Sequence, residues 1–288
     1  MSSSGAVNYG DLFGIESVAA AAIFTVIYAP LAAYYAWRAV KGFNYVFGFM
    51  IAFCTVRVVG FIIRAVIAGS DSAASTLGLV IADQILFGMG FSGLLFATYS
   101  LQSDRERIAG IQYKQPAMVI LTNKRLYHLI IIASVVLVII GTSNISDSDP
   151  DKQSLGKTLR TAGTWVLFGA TAIQGFRSGA FVYLKSTKYR RTGLKTNTFV
   201  DTHAATLLAL ISALLVERMI YTVITLGQRA HEATYYPLSA LPEFLCVCLV
   251  AIPGLVLSRT ELQEQDVLMQ GYRANDPERL YAQGPTIA

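Results

Sequence analysis

The sequence predicts an all-α membrane protein, a seven-transmembrane helix bundle with its N-terminus outside and its C-terminus in the cytoplasm. Three observations carry that expectation. Of 288 residues 54% are apolar and only 14% charged, against about 25% charged in soluble domains, and the mean hydropathy is +0.50. The apolar residues gather into seven stretches, each about long enough to cross a 30 Å hydrocarbon layer as a helix. Lysine and arginine collect in alternate connections between those stretches, as cytoplasmic loops do.

The first stretch, 15–37, follows a segment that carries Asp11 and no Lys or Arg. A cleaved signal peptide needs a basic leading region, so this stretch is expected to remain as a span. The second and third are 43–68 and 77–101, the latter with Gly88 and Ser92 spaced for close helix contact. The fourth is 126–142, and the fifth, 161–184, holds a GxxxG pair, Gly175 and Gly179. The sixth is 204–227 and the seventh 236–257. Pro30 lies in the first span, and Pro242 with Pro253 in the seventh, which is therefore expected to bend. The chain divides into an outer segment 1–14, a transmembrane domain 15–257 and a polar cytoplasmic tail 258–288, with a short surface helix expected at 261–268.

Orientation follows from counting basic residues. The first, third and fifth connections together with the tail hold fifteen of the 23 Lys and Arg residues, among them Arg38, Lys41, Arg105, Lys124, Lys185 and Arg259. The opposite side holds four, Lys152, Lys157, Arg160 and Arg229, and four more, Arg57, Arg64, Arg177 and Arg218, lie inside spans. The positive-inside rule then places the N-terminus outside. Asn144-Ile145-Ser146, on an outward connection by this topology, is a glycosylation sequon, and Asn144 is the candidate acceptor. The net charge of +5 is thus accounted for by topology and requires no nucleic-acid partner.

Ionisable groups inside a membrane are costly and mark function. Seven fall within spans: Arg57, Arg64, Asp83, Arg177, Glu217, Arg218 and Glu243. Counted from the outer end at 1.5 Å per residue, Arg64 lies about 6 Å down, Asp83 and Glu243 about 10 Å, and Arg218, Glu217 and Arg57 about 14 to 16 Å. Arg177, about 24 Å down, is expected to extend towards the cytoplasmic headgroups. Arg57 and Arg64, two turns apart, share one helix face. Glu217 and Arg218 point about 100° apart and each need a partner on another helix. The expected site is a buried cluster in which Arg57, Arg64 and Arg218 oppose Asp83, Glu217 and Glu243, with Tyr221 supplying a hydroxyl, lining an outward-open pocket for a small polar or amphipathic ligand.

Other chemistries find no support. No lysine stands in the seventh span to carry a retinal Schiff base. His128, His203 and His231 do not converge at one depth, and Cys54, Cys246 and Cys248 read as packing residues. No catalytic residue, metal site or cofactor is expected. Three readings remain open: a receptor-like or sensor-like protein with a cytoplasmic signalling partner, a lipid or amphiphile transporter, and a bundle whose ion pairs only hold the helices together. An enzyme is not the expectation. The setting is an integral membrane location, the plasma membrane or another membrane of the secretory pathway, with membrane lipids as partners.

Several segments carry a resemblance: Gly42-Phe43, Thr55-Val56-Arg57-Val58-Val59-Gly60, Gly90-Phe91-Ser92-Gly93-Leu94-Leu95, Tyr127-His128-Leu129, Val216-Glu217-Arg218-Met219-Ile220-Tyr221 and Pro242-Glu243-Phe244. As an ordered set over about residues 43–257 they resemble a fungal family of seven-span membrane proteins classed by a domain of unknown function and grouped with receptor-like proteins. That resemblance implies the fold and a recurring framework of Arg57, Arg218, Tyr221 and Glu243, and implies no activity. More distantly, His231-Glu232 followed by Tyr235-Tyr236-Pro237 resembles the layout of RTA-like lipid-translocating exporters. Thr222 and Thr225 stand where those proteins often show an Arg-to-Glu spacing.

Overall fold

The computed structural model describes residues 8–111, 123–145, 149–192, 199–228 and 231–257. Among these every regular element is helical. Long helices run alternately up and down: α1 (Val18–Lys41), α2 (Tyr45–Gly69), α3 (Leu77–Ile108), α4 (Lys124–Ile145), α5 (Pro150–Thr192), α6 (Phe199–Ile224) and α7 (Glu232–Val250). The end of the bundle where α1 starts is called the amino end below, and the opposite end the carboxyl end. Ser17 caps α1 by accepting from the Ala20 amide at 3.1 Å. Asn44 does the same for α2 through the Val46 amide at 3.0 Å.

Six of these helices, all but α5, are long and apolar enough to cross a membrane. Surface and interior are inverted relative to a soluble protein. Ile23, Val26, Ile62, Val66, Leu129, Ile132 and Phe176 are exposed, while Arg57, Asp83, Arg105, Glu106, Arg177 and Glu243 are buried. An apolar exterior of this extent is stable against hydrocarbon and not against water. The chain is a multi-pass integral membrane protein.

α3 is the central helix, packing against α2, α4, α5 and α6, whereas α1 sits outside, on α2 and the end of α7. The buried stripe of α2, with Phe53, Arg57, Gly60, Phe61, Arg64 and Ile67, repeats every three to four residues, so Arg57 and Arg64 enter the core on the same face as the phenylalanines. Gly60 makes this possible, because a Cβ there would stand 2.9 Å from the Phe87 ring.

Several boundaries differ from expectation for identifiable reasons. α3 runs on to Ile108 instead of stopping at Leu101, since its polar end is buried and Arg105 and Arg107 in the last turn favour a helix C-terminus. α7 begins at Glu232 and ends at Val250, short of 257. Pro253 lacks an N–H, and Gly254 takes a φ of 86° that ends the helical path. The carbonyls released there are claimed by Arg105, whose Nε donates to Leu255 O at 2.8 Å, and by Asn44, whose Nδ2 donates to Leu257 O at 2.5 Å. α7 also contains one π-helical stretch, Tyr236–Ala240, which ends two residues before Pro242.

Close helix contact falls elsewhere than at the GxxxG pair. Along the α4–α5 seam a Cβ on Gly141 would lie 2.5 Å from Arg160 N, on Gly156 2.7 Å from Ile145 N, and on Gly163 2.8 Å from Ser134 O. Backbones meet there directly. Gly179 and Gly88 have nothing within 4 Å of such a Cβ, and Gly175 meets only a Val216 methyl at 3.2 Å. Ser92 donates to Gly88 O within its own helix at 3.1 Å.

Candidate functional site

The α2 stripe, the middle of α3, the amino-end half of α6 and the stretch after the π-helical part of α7 bring five charged groups together. Glu243 bridges two helices: Oε2 lies 2.6 Å from Arg57 Nη2, and Oε1 accepts from Arg218 Nε at 2.9 Å. A turn or two nearer the amino end, Arg64 Nη2 donates to Asp83 Oδ2 at 3.0 Å. Arg57 Nη2 also donates to Phe87 O at 3.2 Å. Arg57 and Asp83 are fully buried and the other three nearly so.

Aromatic rings hold these guanidinium groups in the apolar interior. Phe87 lies between Arg57 and Arg64, 4.5 and 4.6 Å from their central carbons. Tyr235 covers Arg64 at 4.1 Å, and Phe91 lies 3.9 Å from Arg218. Such ring faces attract cations most when water is excluded. Gly90 leaves room for the Arg57 head, since a Cβ there would be 3.2 Å from its Cζ.

Three guanidinium groups against two carboxylates leave a positive excess. The hydrogen bonding is also incomplete: among the described residues Arg57 Nε and Nη1, Arg64 Nε, Asp83 Oδ1 and the Tyr28 hydroxyl are buried without a partner. A buried unsatisfied polar atom costs about 1–3 kcal/mol, more when charged, and so marks a place where water or a ligand belongs.

A cavity of about 390 Å³ adjoins the cluster towards the amino end. Arg64 and Arg218 form part of its wall, with Arg160 and Thr164 from α5, Tyr221 and Thr222 from α6, Thr225 just after it, and an apolar remainder that includes Phe87, Phe91 and Leu167. Tyr221 is half-buried, its hydroxyl 3.3 Å from Thr234 Oγ1.

Of the residues the sequence singles out, Arg57, Arg64, Asp83, Arg218 and Glu243 therefore meet in one cluster, and Tyr221 stands on the adjoining wall. Glu217 does not join them. With Ile211, Leu215, Arg218 and Met219 filling the inward face of α6, its neighbour at 217 turns outwards into a groove between α5 and α6. Asn144 is half-buried in the last turn of α4, at the amino end, and Ser146 of the sequon lies outside the described residues, as does the tail from 258 with its expected helix.

The sequence reading missed a second polar network, at the carboxyl end. Arg177, expected to reach headgroups, is buried and donates through Nη2 to Glu106 Oε2 at 2.5 Å and to Ser103 Oγ at 2.9 Å. Gln102 Nε2 donates to Glu106 Oε1 at 2.8 Å. Ser178 donates to Gln102 Oε1 at 2.7 Å and lies 2.6 Å from Ser212 Oγ. Tyr127 donates to Gln174 Oε1 and Gln174 Nε2 to Thr98 Oγ1, both at 2.9 Å. Asp104 accepts from the Tyr45 hydroxyl and from Lys124 Nζ, the latter at 2.9 Å. The network joins α2, α3, α4, α5 and α6.

Residues 15–259 match the model of a protein family described as a domain of unknown function, DUF7702. The chain belongs to that family. No curated protein and no solved structure matches it. The DUF7702 region holds both polar networks and nearly all the cavity wall, leaving out only Phe13 and Gly14 at the cavity's rim. The carboxyl-end network of this DUF7702 chain was hidden because a hydropathy reading ends the third span where Gln102, Ser103, Asp104, Arg105 and Glu106 begin. One signal was available: Gln102 and Glu106 are one turn apart, on the face continued from Thr98.

Proposed function

We propose that the chain crosses the membrane seven times with its amino end outside, and that it acts as a receptor-like sensor whose amino-end cavity binds a small polar or amphipathic ligand. α5 supplies the seventh crossing. Its low hydropathy comes from Gln174, Arg177 and Ser178, all buried towards α3 and α6, while Trp165, Val166, Phe176 and Tyr183 face outwards. The carboxyl end then lies in the cytoplasm with most of the Lys and Arg residues, in the plasma membrane or another membrane of the secretory pathway.

The observation that carries the reading is a 390 Å³ cavity walled in part by Arg64 and Arg218, two members of a buried cluster whose hydrogen bonding is incomplete at Arg57, Arg64 and Asp83. Ion pairs kept only for stability would be closed and satisfied, because desolvating each ion costs several kcal/mol. A ligand bound at Arg218 redistributes the bonding of the bridge at Glu243. The adjacent π-helical stretch, a feature that often marks functional sites, gives α7 a place to change register. Movement of α7 reaches Gly254 and Leu255, whose carbonyls Arg105 holds, and so reaches the cytoplasmic end of α3 and a signalling partner there.

One observation favours transport as the second reading. Tyr221 and Thr225 line both the cavity and the groove of about 790 Å³ between α5 and α6, so the two adjoin. A membrane amphiphile could enter sideways by that route. Gly88→Phe separates cavity-dependent roles from a purely mechanical cluster, since Gly88 lines the cavity with free space around it. In proteoliposomes the sensor reading expects Gly88→Phe to keep its melting temperature and lose ligand-induced stabilisation, without movement of labelled lipid in either protein. Lipid movement in the wild type that Gly88→Phe abolishes would establish transport instead.

A further inference from the structure

The chemistry of the cavity wall specifies what it holds. Its ionisable lining is Arg64, Arg160 and Arg218 with Tyr221 and Tyr235; no carboxylate forms part of it among the described residues. Asp83 and Glu243 stand behind the wall, each engaged by the arginines. Arg160 lies outside the charged cluster, on α5, and its guanidinium has no hydrogen-bond or ion-pair partner among the described residues. Among the described residues it adds a second uncompensated positive charge to the one left over in the cluster.

We infer that the ligand presents an anionic group, a phosphate, sulfate or carboxylate, and that Arg160 binds it directly together with Arg64 and Arg218. This rests on the cavity being a ligand site. Arginine suits the task because its planar fork donates two parallel hydrogen bonds to such oxyanions. A cationic ligand would meet three guanidinium groups and no carboxylate among the described lining residues, and a neutral one would leave the positive charge uncompensated in a space of low dielectric. The apolar wall of Phe87, Phe91, Val138, Leu167, Met219 and Leu226 takes a short hydrocarbon portion. The cavity thus fits an anionic head carrying an apolar stem. Arg64 is already bound to Asp83 and Arg218 to Glu243, so each can add a bond to a ligand without losing its place. Arg160, without such a partner among the described residues, can commit its whole fork to the ligand.

Calorimetric titration of the full chain in phosphatidylcholine nanodiscs tests this with hexyl phosphate, hexyltrimethylammonium, hexyl glucoside and inorganic phosphate as probes. Hexyl phosphate is expected to bind saturably and at least about tenfold more tightly than the cationic and neutral hexyl compounds. Arg160→Gln is expected to weaken hexyl phosphate by about tenfold or more and to change hexyl glucoside by less than about twofold, with Arg160→Lys restoring part of the loss. Inorganic phosphate binding as well as hexyl phosphate would identify a free anion as the ligand, and preference for the hexyl ester an amphiphile; both support the assignment. Equal binding of the three hexyl compounds by the wild type overturns the anion assignment and leaves the cavity as a site, and an Arg160→Gln variant that keeps the wild-type preference for hexyl phosphate overturns the role given to Arg160. Wild-type protein that binds none of the four overturns the cavity reading and the assignment with it. Headgroup selectivity of the wild type decides the matter even if a variant misfolds.

Discussion

Glu243 is the residue on which the charged cluster turns, because its two oxygens hold arginines from two different helices. Neutralising it strands both guanidinium groups in the interior, and breaking a buried pair in this way costs about 3–5 kcal/mol. Glu243→Gln is expected to lower the thermal midpoint of the purified protein strongly. Glu217→Gln, one position before Arg218 but turned out into the groove, is expected to leave it nearly unchanged. Equal effects from the two would mean that Glu243 does not bridge. Sequence alone placed both carboxylates in the outer half of the membrane and gave no means to rank them. What separates them is rotation about the α6 axis: the helix commits its inward face to Leu215, Arg218 and Met219, which leaves 217 about 100° away from Arg218.

At the scale of the element, the α4–α5 seam gives a sharp contrast. Gly163→Leu drives a side chain into the Ser134 carbonyl and neighbouring side chains, so a loss of about 1–3 kcal/mol is expected. Gly179→Ala meets nothing within 4 Å and is expected to be neutral in the same melting measurement. The six apolar helices were legible from hydropathy, because length and composition are properties of a chain segment. The partner of a glycine is a property of two segments, and GxxxG spacing in α5 said only that one face was small. The end of α3 was illegible for a related reason. Gln102, Asp104, Arg105 and Glu106 look like loop residues until α5 brings Arg177 and the turn after α7 brings its free carbonyls to meet them. Arg177→Ala is accordingly expected to destabilise the protein by about 3–5 kcal/mol, the cost of stranding Glu106, where a headgroup-facing arginine would cost almost nothing. The check is the melting midpoint beside that of Lys152→Ala, an exposed control.

At the scale of the whole molecule, two polar layers lie at opposite ends of an apolar-surfaced bundle, joined by α3 and α7. Glu243 lies seven residues before Val250, the last residue of α7, about 10 Å along the helix, and Gly254 and Leu255 follow shortly after it, so a change at one layer has a short route to the other. The arrangement of basic residues expects the amino end to face outwards, and an epitope at the N-terminus should be accessible to antibody on intact cells, with one at the C-terminus accessible only after permeabilisation. The reverse pattern would invert the topology and put the cavity on the cytoplasmic side. The most direct test of a ligand site beside the charged cluster is a cryo-EM map of the full chain purified from its native membrane. Non-protein density is expected in the cavity within hydrogen-bonding reach of Arg64, Arg160 or Arg218. A cavity closed by its own side chains, with every arginine donor taken up by protein carboxylates and carbonyls, would contradict it.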